Sequence, residues 1–402
     1  MVIRNDAEPK GAERDYGEKV MNMDSAPLRI AVIGSTGSLG QIVLSVARSL
    51  GDNVRIVGLA AGSNLERLAQ QIAEYRPSLA GFARGRWRDD VPEGVTLMPI
   101  NDIVTSPDVD MAVIANVGRA SFDAAWAAID AGKRVAIGNI DLLYMAGPLL
   151  SKRARETGAT IIPLDDEPIG VWKTLWGEST ESVRQVTITS TWGTLQARRL
   201  PRHGTQLPSS LPNARPARHV SQKRAIDAST LMVKASQVAA VHYLYDIQLE
   251  AINVLFHPQG LVRALTEFND GSVKSALFIP DMRVPIQLSL AYPNRWANAE
   301  INSVDLLAEG RLSFEPLEHA LFPCYRIALE AVQQGDTYPV VVAAANDAVI
   351  DLFLSQQIGF SDIPKIIERA ANAHRPHPLD DRVRILEAMD WAKTFVGGQV
   401  PE

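Results

Sequence analysis

The chain has a single cysteine, Cys324, in 402 residues. That excludes an intrachain disulfide framework and any zinc site built from thiolates, and leaves Cys324 to act as a small buried apolar side chain. There is no surplus of positive charge either: the formal net charge is -6. No general attraction to nucleic acid or anionic membrane is expected, so an anion must be met by a local patch. No apolar run is long and uninterrupted enough to cross a bilayer. Residues 1-27 are polar and charged, without the apolar stretch of a secretory signal, and are read as a disordered tail on a cytoplasmic protein. The apolar and charged fractions, 46% and 21%, are those of ordinary soluble domains, and the length allows two or three of them.

What is present is an alternation of short apolar runs with helical patterns, the mark of a parallel sheet with crossover helices. "RIAVIG" is followed by "STGSLG" and by a helix whose Leu39, Ile42, Val43, Val46 and Leu50 fall at helical spacing. "VRIVGLAAG", "SLAGF", "MAVIAN", "RVAIGN" and "TIIPLDD" are further strands, and "FDAAWAAIDAGK" is a helix closed by Gly132. Residues 28-176 thus read as a doubly wound, Rossmann-like α/β domain. Residues 177-316 carry strands joined by a turn at Asn269 to Ser272, with a helix near Thr230 to Tyr245, and predict an α+β domain on an antiparallel or mixed sheet. From 317 to 402 amphipathic helical pieces follow one another and predict a helical C-terminal domain.

"GSTGSLG" places Gly34, Gly37 and Gly40 between a strand and a helix, where backbone can approach a pyrophosphate and helix N–H groups meet its charge. The second strand ends in "AAGSN" with no Asp or Glu to accept from a ribose hydroxyl. That absence favours NADP(H), whose 2'-phosphate Ser63 and Asn64 can reach with donors. Another absence is longer: between Glu181 and Asp227 there is no carboxylate but eight cations, Lys223 and Arg224 among them. Its Pro- and Ser-rich middle, within about 192-224, reads as a lid loop suited to an anionic ligand. Beyond it "DASTLMVKASQVAAVHYL" reads as a helix capped by Asp227 or Ser229, with Thr230, Lys234 and Gln237 on one polar stripe of the solvated kind. Finally, "IIPLDDEP" runs an apolar strand into three carboxylates. In an extended backbone Asp165 and Glu167 share a face and Asp166 points away; a helix start is the plainer alternative.

The ordered set "GSTGSLG", "AGSN", "AGKRVAIGN", "PLDDEP", "DASTLMVKASQ", "HPQG", "DGSV", "PDMRVP", "YPNR" and "AAND" resembles the 1-deoxy-D-xylulose 5-phosphate reductoisomerase family over nearly the whole chain. That family consists of NADPH- and divalent-metal-dependent enzymes of isoprenoid biosynthesis that form homodimers. The resemblance implies a cofactor site at Gly34, Ser35, Thr36, Gly37, Ser38, Leu39, Gly40, Gly62, Ser63, Asn64, Asn139 and Met282. It implies a catalytic set of Asp165, Glu167, Lys234 and Asp141, with Mg²⁺ or Mn²⁺ held by Asp165, Glu167 and Gln237. It places the substrate against Thr191, Arg215, Arg218, Lys234 and Gln237.

Departures cluster on that site. Gln237 stands for the family's third metal carboxylate and should weaken a hard-cation site. Pro168 and Arg263 stand for histidines, Arg215 and Arg218 for a lid histidine and tryptophan, and Ala228 and Val233 for two donors to a substrate phosphate. The expectation is an NADP(H)-dependent oxidoreductase that takes a different small anionic hydroxy or keto substrate. The family's own reaction, and a non-catalytic dinucleotide-binding homologue, are the alternatives.

Overall fold

A computed structural model describes residues 26–85, 87, 92–115, 119–191 and 222–399. A seven-stranded sheet is formed by β1 (Leu28–Ile33), β2 (Val54–Ala61), β3 (Leu79–Phe82), β4 (Thr96–Leu97), β5 (Met111–Ile114), β6 (Arg134–Ile137) and β7 (Thr160–Pro163), in the order β4-β3-β2-β1-β5-β6-β7. Every neighbouring pair is parallel. The helices α1 (Ser38–Ser49), α2 (Leu65–Tyr75), α3 (Ile100–Thr105), α4 (Arg119–Asp130) and α5 (Ile140–Thr157) connect these strands. A parallel sheet covered on both faces needs strands that are apolar throughout, and Ile30, Ala31, Val32 and Ile33 of the central strand are fully buried.

The order reverses between β1 and β5, so the loops leaving these two strands part and open a crevice at the carboxyl edge. The glycine loop leaves β1 at that point, Asn139 follows β6, and Asp165 lies two residues past β7. All three chemically interesting stretches therefore lie along one edge of one sheet. β7 itself stops at Pro163, and α6 (Asp166–Thr174) begins with Asp165 as its N-cap. Of the two readings of "LDDEP", the helix start is the one the backbone takes, where Asp and Glu complement the helix dipole.

A second, five-stranded sheet holds β8 (Val183–Ser190), β9 (Ile252–Phe256), β10 (Val262–Phe268), β11 (Val273–Leu277) and β12 (Glu315–Pro316), in the order β11-β10-β8-β9-β12. It is mixed, because β8 and β9 run parallel while the other pairs are antiparallel. α6 packs on this sheet at Gly170, where a Cβ would come within 3.0 Å of the Arg263 side chain and 3.3 Å of Ala264. Glycine here lets β10 approach the acidic helix start closely.

The single helix expected around Thr230 is two, α7 (Gln222–Thr230) and α8 (Met232–Tyr245), broken at Leu231 in the left-handed region with φ 60. Asp227 and Ser229 accordingly sit inside α7 rather than capping a helix. α9 (Arg283–Ala291), α10 (Leu306–Glu309), α11 (Pro323–Gln334), α12 (Tyr338–Leu354), α13 (Ile363–Ala373) and α14 (Arg382–Gly397) complete the chain. α12 is buried along most of its inner length and is packed by α11, α13, α14 and α5. Cys324 is buried in α11, as its composition implied. No helix among the described residues is long and apolar enough to cross a membrane.

Candidate active site

At the glycine loop, Gly34 adopts φ +87, and its N–H and that of Ser35 both donate to the Ala60 carbonyl at 2.8 and 2.9 Å. This ties the loop to the end of β2. Ser35 is fully buried and its hydroxyl donates to Gln71 Oε1 at 2.7 Å, so its polar groups hold the loop rather than face outward. Gly37 is the N-cap of α1 and no side chain caps the first turn. Ser38, Leu39 and Gly40 therefore have N–H groups without an intrahelical acceptor, a ready anion site. A Cβ at Gly40 would strike the Gly34 carbonyl and approach Ser35 Cα to 2.7 Å, backbone that cannot yield.

Gly62, Ser63 and Asn64 are exposed at the end of β2. Asn64 caps α2 by accepting from the Arg67 N–H at 3.0 Å through Oδ1, which leaves its amide N–H₂ as a donor. Asn139 caps α5 in the same way, accepting from the Asp141 N–H at 3.3 Å. Thr36 is half-buried on the loop, and Met282 is half-buried at the N-cap of α9.

Asp165 and Glu167 converge, as the sequence suggested, but on a helix start. Both are buried, 1% and 5% exposed. Between them lies Gln237 of α8, whose Nε2 donates to Asp165 Oδ1 and, at 2.6 Å, to Glu167 Oε2. Carboxylates only accept, so the amide turns its nitrogen to them; Gln237 Oε1 is buried without a partner.

Three cations close on the same carboxylates. Arg224 Nη2 donates to Asp165 Oδ2 at 2.8 Å, Lys234 Nζ lies 3.0 Å from Glu167 Oε1, and Arg263 Nη1 lies 3.4 Å from Asp166 Oδ2 and 3.7 Å from Glu167 Oε1. Lys234 and Gln237 are three residues apart on α8, which puts them side by side on one face. That stripe is buried, not solvated: Thr230, Lys234 and Gln237 are 6%, 6% and 2% exposed. Asp166 does not point away from its neighbours but joins them.

The electrostatics divide the three carboxyls. Burial pushes Asp166 up to about 7, with the charges of Glu167 and Asp165 adding to the rise and Arg263 opposing it. Burial also acts against the Glu167 carboxylate, yet Lys234, Arg263 and the Gln237 hydrogen bond outweigh it and hold its pKa below the ordinary range. The Asp165 carboxylate raises the pKa of Arg224, which keeps that guanidinium charged.

A second cluster adjoins the first through the neighbouring residue Lys223. Its Nζ lies 2.8 Å from Asp141 and from Asp227 and 3.1 Å from Asp347, and Ser236 donates to Asp141 at 3.2 Å. Burial lifts Asp227 to about 6 despite Lys223. Asp141 thus belongs to an ion-pair cluster next to the acidic strand end.

Thr191 follows β8 and lies against the turn at Gly260, whose Cβ would come within 2.9 Å of the Thr191 methyl group. Arg215 and Arg218 lie outside the described residues. Neither motif nor resemblance assigns a site role to Asp166, Lys223 or Arg224. The carboxylate-free basic stretch signalled Lys223 and Arg224, and Arg263 stood out as a replaced histidine.

Comparison with known proteins bears on this geometry. Residues 30–147 match the family model of 1-deoxy-D-xylulose 5-phosphate reductoisomerase, and 277–395 that of the DXP reductoisomerase C-terminal domain. The chain is 34% identical over 388 residues to the 1-deoxy-D-xylulose 5-phosphate reductoisomerase of Heliobacterium modesticaldum, covering 93% of this chain and 98% of that protein. It is also 34% identical to that of Xanthomonas axonopodis pv. citri, covering 90% and 94%. Among solved structures it resembles the Zymomonas mobilis reductoisomerase in complex with NADPH, with a TM-score of 0.83, 28% identity and coverage of 94% and 100%. It also resembles a DOX-P reductoisomerase with fosmidomycin and magnesium, with a TM-score of 0.81, 25% identity and coverage of 93% and 98%. With the order of motifs, the fold and the full-length similarity in agreement, this chain belongs to the 1-deoxy-D-xylulose 5-phosphate reductoisomerase family.

Proposed function

We propose that this member of the family is an NADP(H)-dependent oxidoreductase acting on an anionic hydroxy or keto compound other than the family's phosphosugar, with a weakened divalent-metal site. The observation that carries the proposal is the set of cations on the acidic strand end. Arg224, Lys234 and Arg263 pair with the carboxylates that would ligate a metal, and Gln237 presents them a donor. A hard dication needs oxygen donors of net negative charge; here it would displace cations from buried ion pairs, so these residues fit it poorly.

The dinucleotide fits better. Gly34 to Gly40 offer backbone approach and free helix N–H groups, Gly62, Ser63 and Asn64 offer exposed donors for a 2'-phosphate, and Asn139 and Met282 flank the same sheet edge by family resemblance. The cofactor would supply hydride exchange. The chain's own residues would bind and orient the substrate: Lys234 and Thr191 from the core of the site, Arg215 and Arg218 from the lid segment. The same reading takes 28-176 as the cofactor domain, 177-316 as the catalytic and dimerising domain and 317-402 as the helical domain of a homodimer.

The full-length identity favours a second reading, the family's own reaction. NADPH oxidation with 1-deoxy-D-xylulose 5-phosphate and Mn²⁺ separates the two. Our reading expects NADPH to bind and turnover to stay at background, and expects Gln237→Glu to tighten Mn²⁺ binding by about tenfold or more without restoring turnover. Clear turnover by the wild-type protein would sink it, and a monomer by light scattering would remove the dimer.

A further inference from the structure

Of the three cations on the acidic strand end, Arg263 differs in one respect. It is 3% exposed, and its Nε and Nη2 atoms are buried with no hydrogen-bond partner. Buried donors without partners are rare, and donors on a guanidinium, which cannot shed its charge, are the most costly to leave unpaired. The ion pairs of Arg263 with Asp166 and Glu167 run through Nη1 alone.

Nε and Nη2 are not scattered donors. They are the two adjacent N–H groups along one side of the guanidinium, the fork that receives a carboxylate with two parallel hydrogen bonds. The protein uses that same edge twice elsewhere. Arg29 donates from Nε to Asp110 Oδ2 at 3.0 Å and from Nη2 to Oδ1 at 2.7 Å, and Arg283 from Nε to Asp281 Oδ1 at 3.1 Å and from Nη2 to Oδ2 at 2.6 Å. In Arg263 the fork is held in place: the guanidinium lies 5.3 Å from the Phe278 ring centroid, and its Cβ is pressed against α6 at Gly170. The guanidinium is thus held by a cation–π contact and by packing.

We propose that Arg263 is a substrate-binding residue whose Nε–Nη2 edge receives a carboxylate of the substrate, so that the anion is anchored by the protein's own cation rather than through a divalent metal. The proposal rests on the reading of this chain as a family member with an altered substrate and adds the chemical class of that substrate. Two coplanar oxygens match one two-donor edge. A phosphate can take the same two donors but has further oxygens to satisfy, and Ala228 and Val233 offer them no side-chain donors.

The test is binding of glycolate to the NADPH-loaded protein in EDTA, followed by calorimetry, with inorganic phosphate in parallel. Wild type is expected to bind glycolate saturably and phosphate more weakly. Arg263→Lys keeps the charge but loses the planar fork, and should weaken glycolate binding at least about tenfold while NADPH binding is retained. Arg263→His serves as a second variant with the same expectation should the lysine disturb folding. The proposal is overturned if wild type does not bind glycolate, if it binds glycolate only after Mn²⁺ is added, if phosphate binds better, or if a folded variant binds glycolate as wild type does. Turnover of the family's phosphosugar would remove the functional reading instead, and would leave the comparison of Arg263 with its variants to stand on its own result.

Discussion

At the scale of single residues, the acidic strand end is a set of buried charges whose balance depends on each partner. Glu167 and Lys234 are 6% and 7% exposed and 3.0 Å apart, so removing either would leave the other buried without its counter-charge. Asp166 offers the cleaner experiment, because burial raises its pKa from 3.8 to about 7. Between those two values the folded protein holds a proton that the unfolded chain has released. This carboxyl therefore favours folding at acid pH, and that contribution is lost as pH rises through the window from about 4 to 7. Asp166→Asn is neutral at every pH. It should exceed wild type in melting temperature at pH 5 and by a wider margin at pH 8, and a difference that is the same at both pH values would show that Asp166 is charged throughout. None of this was legible in "LDDEP", where the alternation of side chains gave the wrong direction for Asp166.

At the scale of elements, the sequence was more informative. Glycine spacing after a strand, helical periodicity from Leu39 to Leu50 and the turn at Asn269 to Ser272 located elements where they occur. Local rules failed where packing overrides propensity. Leu231 takes a left-handed conformation disfavoured for leucine and is fully buried; its side-chain burial holds a break between α7 and α8 that no helix-stop residue announces. That break separates Lys223 and Arg224 on one helix from Lys234 and Gln237 on the next. The glycine loop supplies the prediction at this scale. Gly40→Ala would force a Cβ into the Gly34 carbonyl and Ser35 backbone, shifting the start of α1. NADPH affinity measured by fluorescence should fall by about tenfold or more and thermal stability by about 1–3 kcal/mol, and unchanged affinity would separate the loop from cofactor binding.

At the scale of the whole molecule, side chains far apart in sequence lock the parts together. The Tyr144 hydroxyl on α5 donates to the Ala328 carbonyl of α11 at 2.9 Å, and Asn346 of α12 donates to Asp227 of α7 at 2.8 Å. Lys223 ties Asp141, Asp227 and Asp347, which come from α5, α7 and α12. Lys223→Met should destabilise the fold by leaving three carboxylates facing one another, and more at pH 8 than at pH 5, because Asp227 titrates at about 6 and its proton relieves the repulsion. Equal losses at both pH values, read by thermal melts, would mean that Asp227 does not titrate in this window, and no loss at either would mean that the cluster does not bear on stability. The sequence by itself determined the doubly wound sheet, the glycine loop, an antiparallel or mixed second sheet and the family, since each rests on periodicity or on motifs a few residues long. Only the tertiary structure decided which charges meet. Lys234, Gln237, Arg224 and Arg263 lie on three separate elements, and nothing in local spacing says that they converge on Asp165, Asp166 and Glu167, because ion pairing in a buried site is set by how helices and sheet pack in space.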